Sequence, residues 1–232
     1  ISQSKNPGQE VSAKELAQMM LSLQKQGAHN INFVTPSHVA PQILEALVLA
    51  VQGGLSVPLV YNTNGYDDLE TLPILEGIIN VYLPDLKYFS AENAAQYSGP
   101  ADYPARAKEA ILEMFRQVGE PLLEDEGVLH QGMAVRHLVL PNGLSDTDKV
   151  LAWLAKNFGD KIYLSLMSQY FPTHKAPEFS LLSRPLLNKE YQKACDLAFS
   201  LGLNRGWFQD LGSQESYRPN FEKETPFGQS DR

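Results

Sequence analysis

The chain has 232 residues, 43% hydrophobic and 20% charged, with a formal net charge of -8 at pH 7. That length is enough to bury a substantial core in a single α/β domain. The acidic balance argues against a general nucleic-acid binder, because phosphate binding needs clustered Lys and Arg. The lone cysteine, Cys195, excludes an internal disulfide framework, and no apolar run has the length of a membrane span. A cytoplasmic setting is therefore expected. The chain opens at Ile1-Ser2-Gln3 without methionine, and a fragment or processed chain is expected from that.

Ser12 and Glu15 form a capping-box pattern, and Leu16, Met19, Met20 and Leu23 follow at helical spacing, predicting a helix over 12–26. A strand over 29–35 follows, then a helix over 41–52 that ends at Gly53-Gly54. Residues 57–61 read as a strand buried on both faces, 67–76 as a short helix, and 78–83 as a strand. The stretch 89–103 reads as a short helix and loop, 105–118 as a helix, and 120–132 as a polar excursion containing a short hairpin. A strand over 134–140, a helix from the Ser145–Asp148 caps to Phe158, and a strand over 162–167 come next. The last elements are a helix over 188–201 and a short strand over 206–211. From 213 to 232 the apolar period fades into a tail.

This alternation predicts an α/β fold with a parallel sheet and right-handed crossovers, read as one domain over 1–212. Because it opens on a helix, an open or partial barrel lacking its first strand is expected. Polar residues at the carboxyl ends of the strands should then converge on one rim, where such folds carry their sites. They are Thr35-Pro36-Ser37-His38, Asn62-Thr63-Asn64, Asp85 with Lys87, Arg136-His137, and Ser168-Gln169-Tyr170.

Each has a plainer reading. Asn64-Gly65 and Pro141-Asn142-Gly143 are ordinary turn chemistry. Asp85 and Lys87, two apart on a strand, share a face and can be a structural ion pair. His38 can be a loop residue satisfied where it stands. Arg136, in an apolar strand, requires a carboxylate or a ligand. Cys195 falls on the inward stripe of its helix and reads as a core residue. The histidines show no metal-binding spacing, and there is no Walker lysine motif, dinucleotide glycine fingerprint or Gly-x-Ser-x-Gly elbow.

Four strings in order, Tyr61-Asn62-Thr63-Asn64-Gly65-Tyr66, Tyr82-Leu83-Pro84-Asp85-Leu86-Lys87-Tyr88, Val135-Arg136-His137-Leu138-Val139-Leu140-Pro141-Asn142 and Met167-Ser168-Gln169-Tyr170-Phe171-Pro172, resemble radical S-adenosylmethionine proteins. The likeness spans about residues 1 to 210. It is greatest to the pyruvate formate-lyase-activating-enzyme-like branch, in an iron–sulfur activase-like subgroup. The resemblance implies a partial (β/α)6 barrel and an S-adenosylmethionine site at Asn62, Thr63, Asp85, Lys87 and Arg136, with Gln169 on the adenine side. Ser37 and His38 stand where many members carry a Gly-Gly-Glu-like turn for the cofactor's amino group.

It also implies a four-iron–four-sulfur cluster on a Cys-x3-Cys-x2-Cys motif. The open iron would bind S-adenosylmethionine, whose reductive cleavage gives a 5′-deoxyadenosyl radical that abstracts hydrogen from a substrate, in this branch a glycyl-radical enzyme. The motif is absent from this chain, which is therefore expected to be inactive as it stands, with the motif expected just upstream of Ile1. The alternatives are a degenerate S-adenosylmethionine-binding or scaffold protein without catalysis, and an α/β-barrel lyase with Lys87 as amine nucleophile.

Overall fold

The computed structural model describes residues 9–124 and 127–210. Its elements run α1 (Ala13–Lys25), β1 (Ile31–Val34), α2 (Ala40–Gln52), β2 (Leu59–Thr63), β3 (Val81–Pro84), α3 (Ala91–Tyr97), α4 (Tyr103–Val118), β4 (Leu122–Leu123), β5 (Leu129–Leu138), α5 (Thr147–Phe158), β6 (Tyr163–Met167), α6 (Asn188–Ser200) and β7 (Gly206–Phe208). The sheet order is β1-β2-β3-β5-β6-β7, with every neighbouring pair parallel, and β4 adds to β5 antiparallel. Strands that follow one another in the chain thus neighbour one another in space, the arrangement of an α/β barrel wall left open between β1 and β7.

The capping box of Ser12 and Glu15 starts α1 as the pattern requires: the Glu15 amide donates to Ser12 Oγ, and the Ser12 amide donates to Glu15 Oε2. Burying Ala17 and Met20 holds that helix to the core. On the helix-facing side of the sheet, Ile31, Phe33, Leu59, Tyr61, Tyr82, Met133, Val135, Leu164 and Leu166 merge with α4 residues Ile111 and Met114 and α5 residues Val150, Leu151 and Leu154 into one apolar core. Cys195 is buried in α6 within that core, and burial pushes its thiol pKa up.

Several boundaries differ from expectation for local reasons. The helix expected over 67–76 is only a 3₁₀ turn, Leu72–Leu75, because Asp67 turns back to bond the β2 side chains and caps nothing. β2 ends at Thr63, not residue 61, because the carbonyl of Asn62 accepts the Thr35 amide at 2.8 Å and extends the ladder. β5 starts at Leu129, since its first residues pair with β4 in the expected hairpin, and it stops at Leu138 before the amide of Leu140 turns to Ser145 Oγ. β7 covers only Gly206–Phe208. The expected tail, 213–232, lies outside the described residues. No helix among the described residues is long and apolar enough to cross a membrane.

Candidate functional site

Register decides which polar side chains meet. Asn62 pairs with Leu83, Asp85 bridges Arg136, Arg136 pairs with Ser165, and Leu138 pairs with Met167. Side chains alternate along a strand and registered partners share a face. Asn62, Asp85, Arg136 and Met167 therefore share the face turned away from the helix-packed core, and Lys87 and Gln169, just past the ends of β3 and β6, line the same cavity as Asp85, Arg136 and Met167.

Where β3, β5 and β6 end, that face holds a cavity of about 400 Å³ lined by Asp85, Lys87, Tyr88, Ser98, Arg136, Leu138, Leu140, Met167, Gln169 and Tyr170. Its electrostatic centre is Asp85. Arg136 Nη2 lies 2.7 Å from Asp85 Oδ1, and Lys87 Nζ lies 3.6 Å from Asp85 Oδ2. The burial of Arg136 is thus answered by a carboxylate, and Asp85 and Lys87 do form an ion pair. The answer is incomplete. The guanidinium approaches off its N–H direction, and both Asp85 Oδ1 and Arg136 Nε are buried without a completed hydrogen bond. Such atoms are costly unless a further group satisfies them. Two cations against one carboxylate leave the cavity with an excess positive charge, beside an apolar wall of Leu138, Leu140 and Met167.

The other predicted residues group elsewhere. Thr63 points to the helix side, where its hydroxyl donates to Asp67 Oδ2 at 2.5 Å. Ser37 Oγ and Tyr61 OH donate to Asp67 Oδ1 at 2.7 and 2.9 Å. Asp67 is 4% exposed, so this triple donation satisfies a buried carboxylate. Burial, with Asp67 beside it, pushes the Tyr61 phenol pKa upward. His38 lies exposed beside this cluster, with Ser37, in a recess of about 220 Å³ that also touches Tyr66 and Asp68. Thr35 just before them is left-handed, φ 51° and ψ 51°. That conformation is rare for a β-branched residue, and the Ser37–Asp67 bond fixes the turn that requires it.

His137 alternates with Arg136 and faces the core. Its Nδ1 lies 2.6 Å from the Leu86 carbonyl and its Nε2 2.9 Å from Thr147 Oγ1. Complete burial pulls its pKa down to about 4, so the ring is neutral, with Nδ1–H donating to Leu86 and Nε2 accepting from Thr147. The Pro141-Asn142-Gly143 turn is also structural. Asn142 is left-handed at φ 59°, its amide donates to Glu190 at 2.7 Å, and Arg184 donates to both Glu190 oxygens at 2.8 Å.

Sequence reasoning missed Asp67 as a strand-side acceptor, read Tyr88 and Ser98 without a site role, and gave Tyr103 none. Leu138 and Met167 were legible, since each stands two residues from Arg136 or Gln169 and must share its face. Among the described residues no group of three His, Cys, Asp or Glu could hold a metal ion.

No family model matches the chain. It is 31% identical over 192 residues to the uncharacterized protein MJ0674 of Methanocaldococcus jannaschii, a match covering 82% of this chain and 52% of that protein. Among solved structures it is similar to HydG, a maturase of the FeFe-hydrogenase, with TM-score 0.52 and 12% identity over 87% of this chain and 46% of HydG. It is also similar to native anSMEcpe with bound AdoMet, with TM-score 0.52 and 14% identity over 86% of this chain and 54% of anSMEcpe. The chain thus spans about half the length of each of these proteins. At 12% and 14% identity the structural likeness is one of fold: the chain has the α/β, partial-barrel architecture seen in HydG and anSMEcpe.

Proposed function

We propose that this chain is the S-adenosylmethionine-binding barrel of a radical S-adenosylmethionine protein, with residues 1–212 as that domain. The observation that carries the reading is the cavity at the ends of β3, β5 and β6. Asp85, Lys87, Arg136 and Gln169, residues that the sequence resemblance implicates, line it together. A fold shared with an AdoMet-bound protein adds support.

The chemistry of the cavity fits that ligand's amino-acid end. Lys87 and Arg136 offer cations to a carboxylate, and Asp85 Oδ1 offers an unfilled acceptor to an ammonium or hydroxyl. Leu138, Leu140 and Met167 offer apolar surface, and Gln169 at the edge of the cavity offers an amide. Asn62 shares the same face. Ser37 and His38 lie in the turn after β1, in the recess beside Asp67 and outside the lining of this cavity.

The donor set for an iron–sulfur cluster does not fit. A cluster of this kind is held by thiolates, and the one cysteine of the chain is buried in α6. In this reading the cluster ligands come from outside these 232 residues, whose one cysteine is Cys195, and the chain binds without catalysing. The order of the four strings favours the pyruvate formate-lyase-activating-enzyme-like branch, which implies a glycyl-radical enzyme as protein partner and a cytoplasmic location. The lyase alternative is disfavoured because the Lys87 side chain is 43% exposed and paired with the Asp85 carboxylate, whereas an imine-forming lysine is favoured by a desolvated site.

Equilibrium titration of the chain with S-adenosylmethionine tests the proposal. Saturable binding is expected, weakened about tenfold or more by Asp85→Asn and by Arg136→Met, each of which removes a charge-assisted contact. Absence of saturable binding, or binding indifferent to both substitutions, would overturn it.

A further inference from the structure

Asp85 and Lys87 owe their placement to a residue outside the cavity. Tyr103, the first residue of α4, is 4% exposed. The Lys87 amide donates to its hydroxyl at 3.0 Å. That hydroxyl has one proton to give, shared between the carbonyls of Asn64 and Asp85, each at 2.9 Å. One phenol therefore ties the turn after β2 to the turn after β3. Its ring is wedged between neighbours, stacked on Tyr66 at 6.2 Å and edge-on to Tyr88 at 6.3 Å. Burial pushes its pKa up, so it remains a donor at neutral pH.

The tie reaches the cavity through the backbone. Asp85 is held from one side by its amide, which donates to the Thr63 carbonyl at 3.0 Å, and from the other by Tyr103 on its own carbonyl. The next residue, Leu86, donates its amide to the Arg136 carbonyl at 3.0 Å. Leu86 at the middle of the turn is held by strand pairing and by His137 Nδ1 on its carbonyl at 2.6 Å, while Tyr103 holds the Asp85 carbonyl and the Lys87 amide on either side.

We propose that Tyr103 is a positioning residue of the cavity. Its hydroxyl sets the Asp85–Lys87–Arg136 charge geometry and so governs affinity for the charged end of the bound molecule. The affinity part of this inference rests on the S-adenosylmethionine reading above. The positioning part does not.

Tyr103→Phe removes the hydroxyl and keeps both ring contacts. In ¹H–¹⁵N spectra of the free protein, with Arg136→Lys used for assignment, the Arg136 Nε–H resonance is expected to shift in Tyr103→Phe. The control Tyr66→Phe, which loses the exposed contacts of the Tyr66 hydroxyl to both carboxylate oxygens of Asp102, should leave it in place. A uniform loss of stability would not move that resonance. In titrations, Tyr103→Phe is expected to bind S-adenosylmethionine about tenfold more weakly, the scale of one lost hydrogen bond. It should bind methylthioadenosine, which lacks the amino-acid end, as the unsubstituted chain does.

An unmoved Arg136 resonance in folded Tyr103→Phe overturns the proposal, as does equal weakening of both ligands. If the unsubstituted chain binds neither ligand, the reading of the site falls while the resonance still decides the role of Tyr103. If Tyr103→Phe does not fold, amide exchange in the unsubstituted chain decides: protection of the Lys87 amide supports the tie, and exchange at the solvent rate overturns it.

Discussion

Gly65→Ala separates two costs at one position. Gly65 lies in the turn after β2 at φ +82°, and a Cβ there would sit 2.2 Å from the Asp85 carbonyl oxygen and 3.5 Å from Ala107 Cβ. Gly54, which ends α2, has a similar φ of +93° with nothing within 4 Å of a Cβ. Gly54→Ala therefore reads the backbone cost alone. The left-handed region costs an alanine roughly 1–2 kcal/mol, offset by about 0.4–1 kcal/mol from the stiffer unfolded chain, for a net of about 1 kcal/mol. Gly65→Ala incurs that cost and a clash with backbone. Relief requires the turns after β2 and β3 to part, which strains the two carbonyls that share the Tyr103 hydroxyl. Loss of a buried hydrogen bond costs about 1–3 kcal/mol, so Gly65→Ala should lose about 2–4 kcal/mol in all. Urea unfolding curves measure both variants, through midpoint shifts at constant slope. The reasoning fails if Gly65→Ala and Gly54→Ala destabilise the protein equally, because the close approach to Asp85 would then carry no cost.

His137 makes stability depend on pH. Its ring is held neutral with a pKa near 4, against 6.5 in the unfolded chain. The unfolded state therefore binds the extra proton between those values, and its contribution is complete above pH 6.5 and lost as pH falls toward 4. A difference of that size amounts to about 3 kcal/mol; unfolding free energies measured across this window should show the fall, and His137→Asn should flatten it at the cost of lower stability throughout. The two neighbours Asn62 and Thr63 should separate by readout. Thr63→Val removes a donor to the buried carboxylate of Asp67 and the acceptor of the Gly65 amide and should cost about 2–4 kcal/mol with little change in S-adenosylmethionine affinity; Asn62→Ala should weaken that affinity more, with a smaller effect on the unfolding midpoint. The opposite allocation would show that the two faces of β2 have been exchanged.

The alternation of strands and helices was legible because each element carries its own periodicity. Ser12 with Glu15, and the stripe Leu16, Met19, Met20 and Leu23, mark α1 from within a window of a dozen residues. The 3₁₀ turn between β2 and β3 was not legible for the converse reason. Asp67 reads locally as the start of a helix, and only the arrival of Ser37, from thirty residues earlier, beside Tyr61 and Thr63 gives its carboxylate a better set of donors. Tyr103 is similar. A tyrosine opening a helix has no local signal for bridging Asn64 and Asp85, whose carbonyls come together only once β2 and β3 have paired.

The same distinction explains why Asn62 and Thr63, adjacent in a string read as one polar burst, belong to different sites. A strand reverses its side chains at each residue, so adjacent polar residues at its end cannot serve one pocket unless the strand has already given way to a turn. β2 runs through Thr63, and the carbonyl of Asn62 is still bonded to the amide of Thr35, the residue just after β1. Thr63 is therefore committed to the helix side and Asp67, while Asn62 remains on the face of Asp85 and Arg136. At the end of β3 the spacing works the other way. Asp85 and Lys87 stand two apart, and their salt bridge shows that they share one face. A residue matched to a binding motif by sequence position alone is thus assigned to a face only when the last ladder bond of its strand is known.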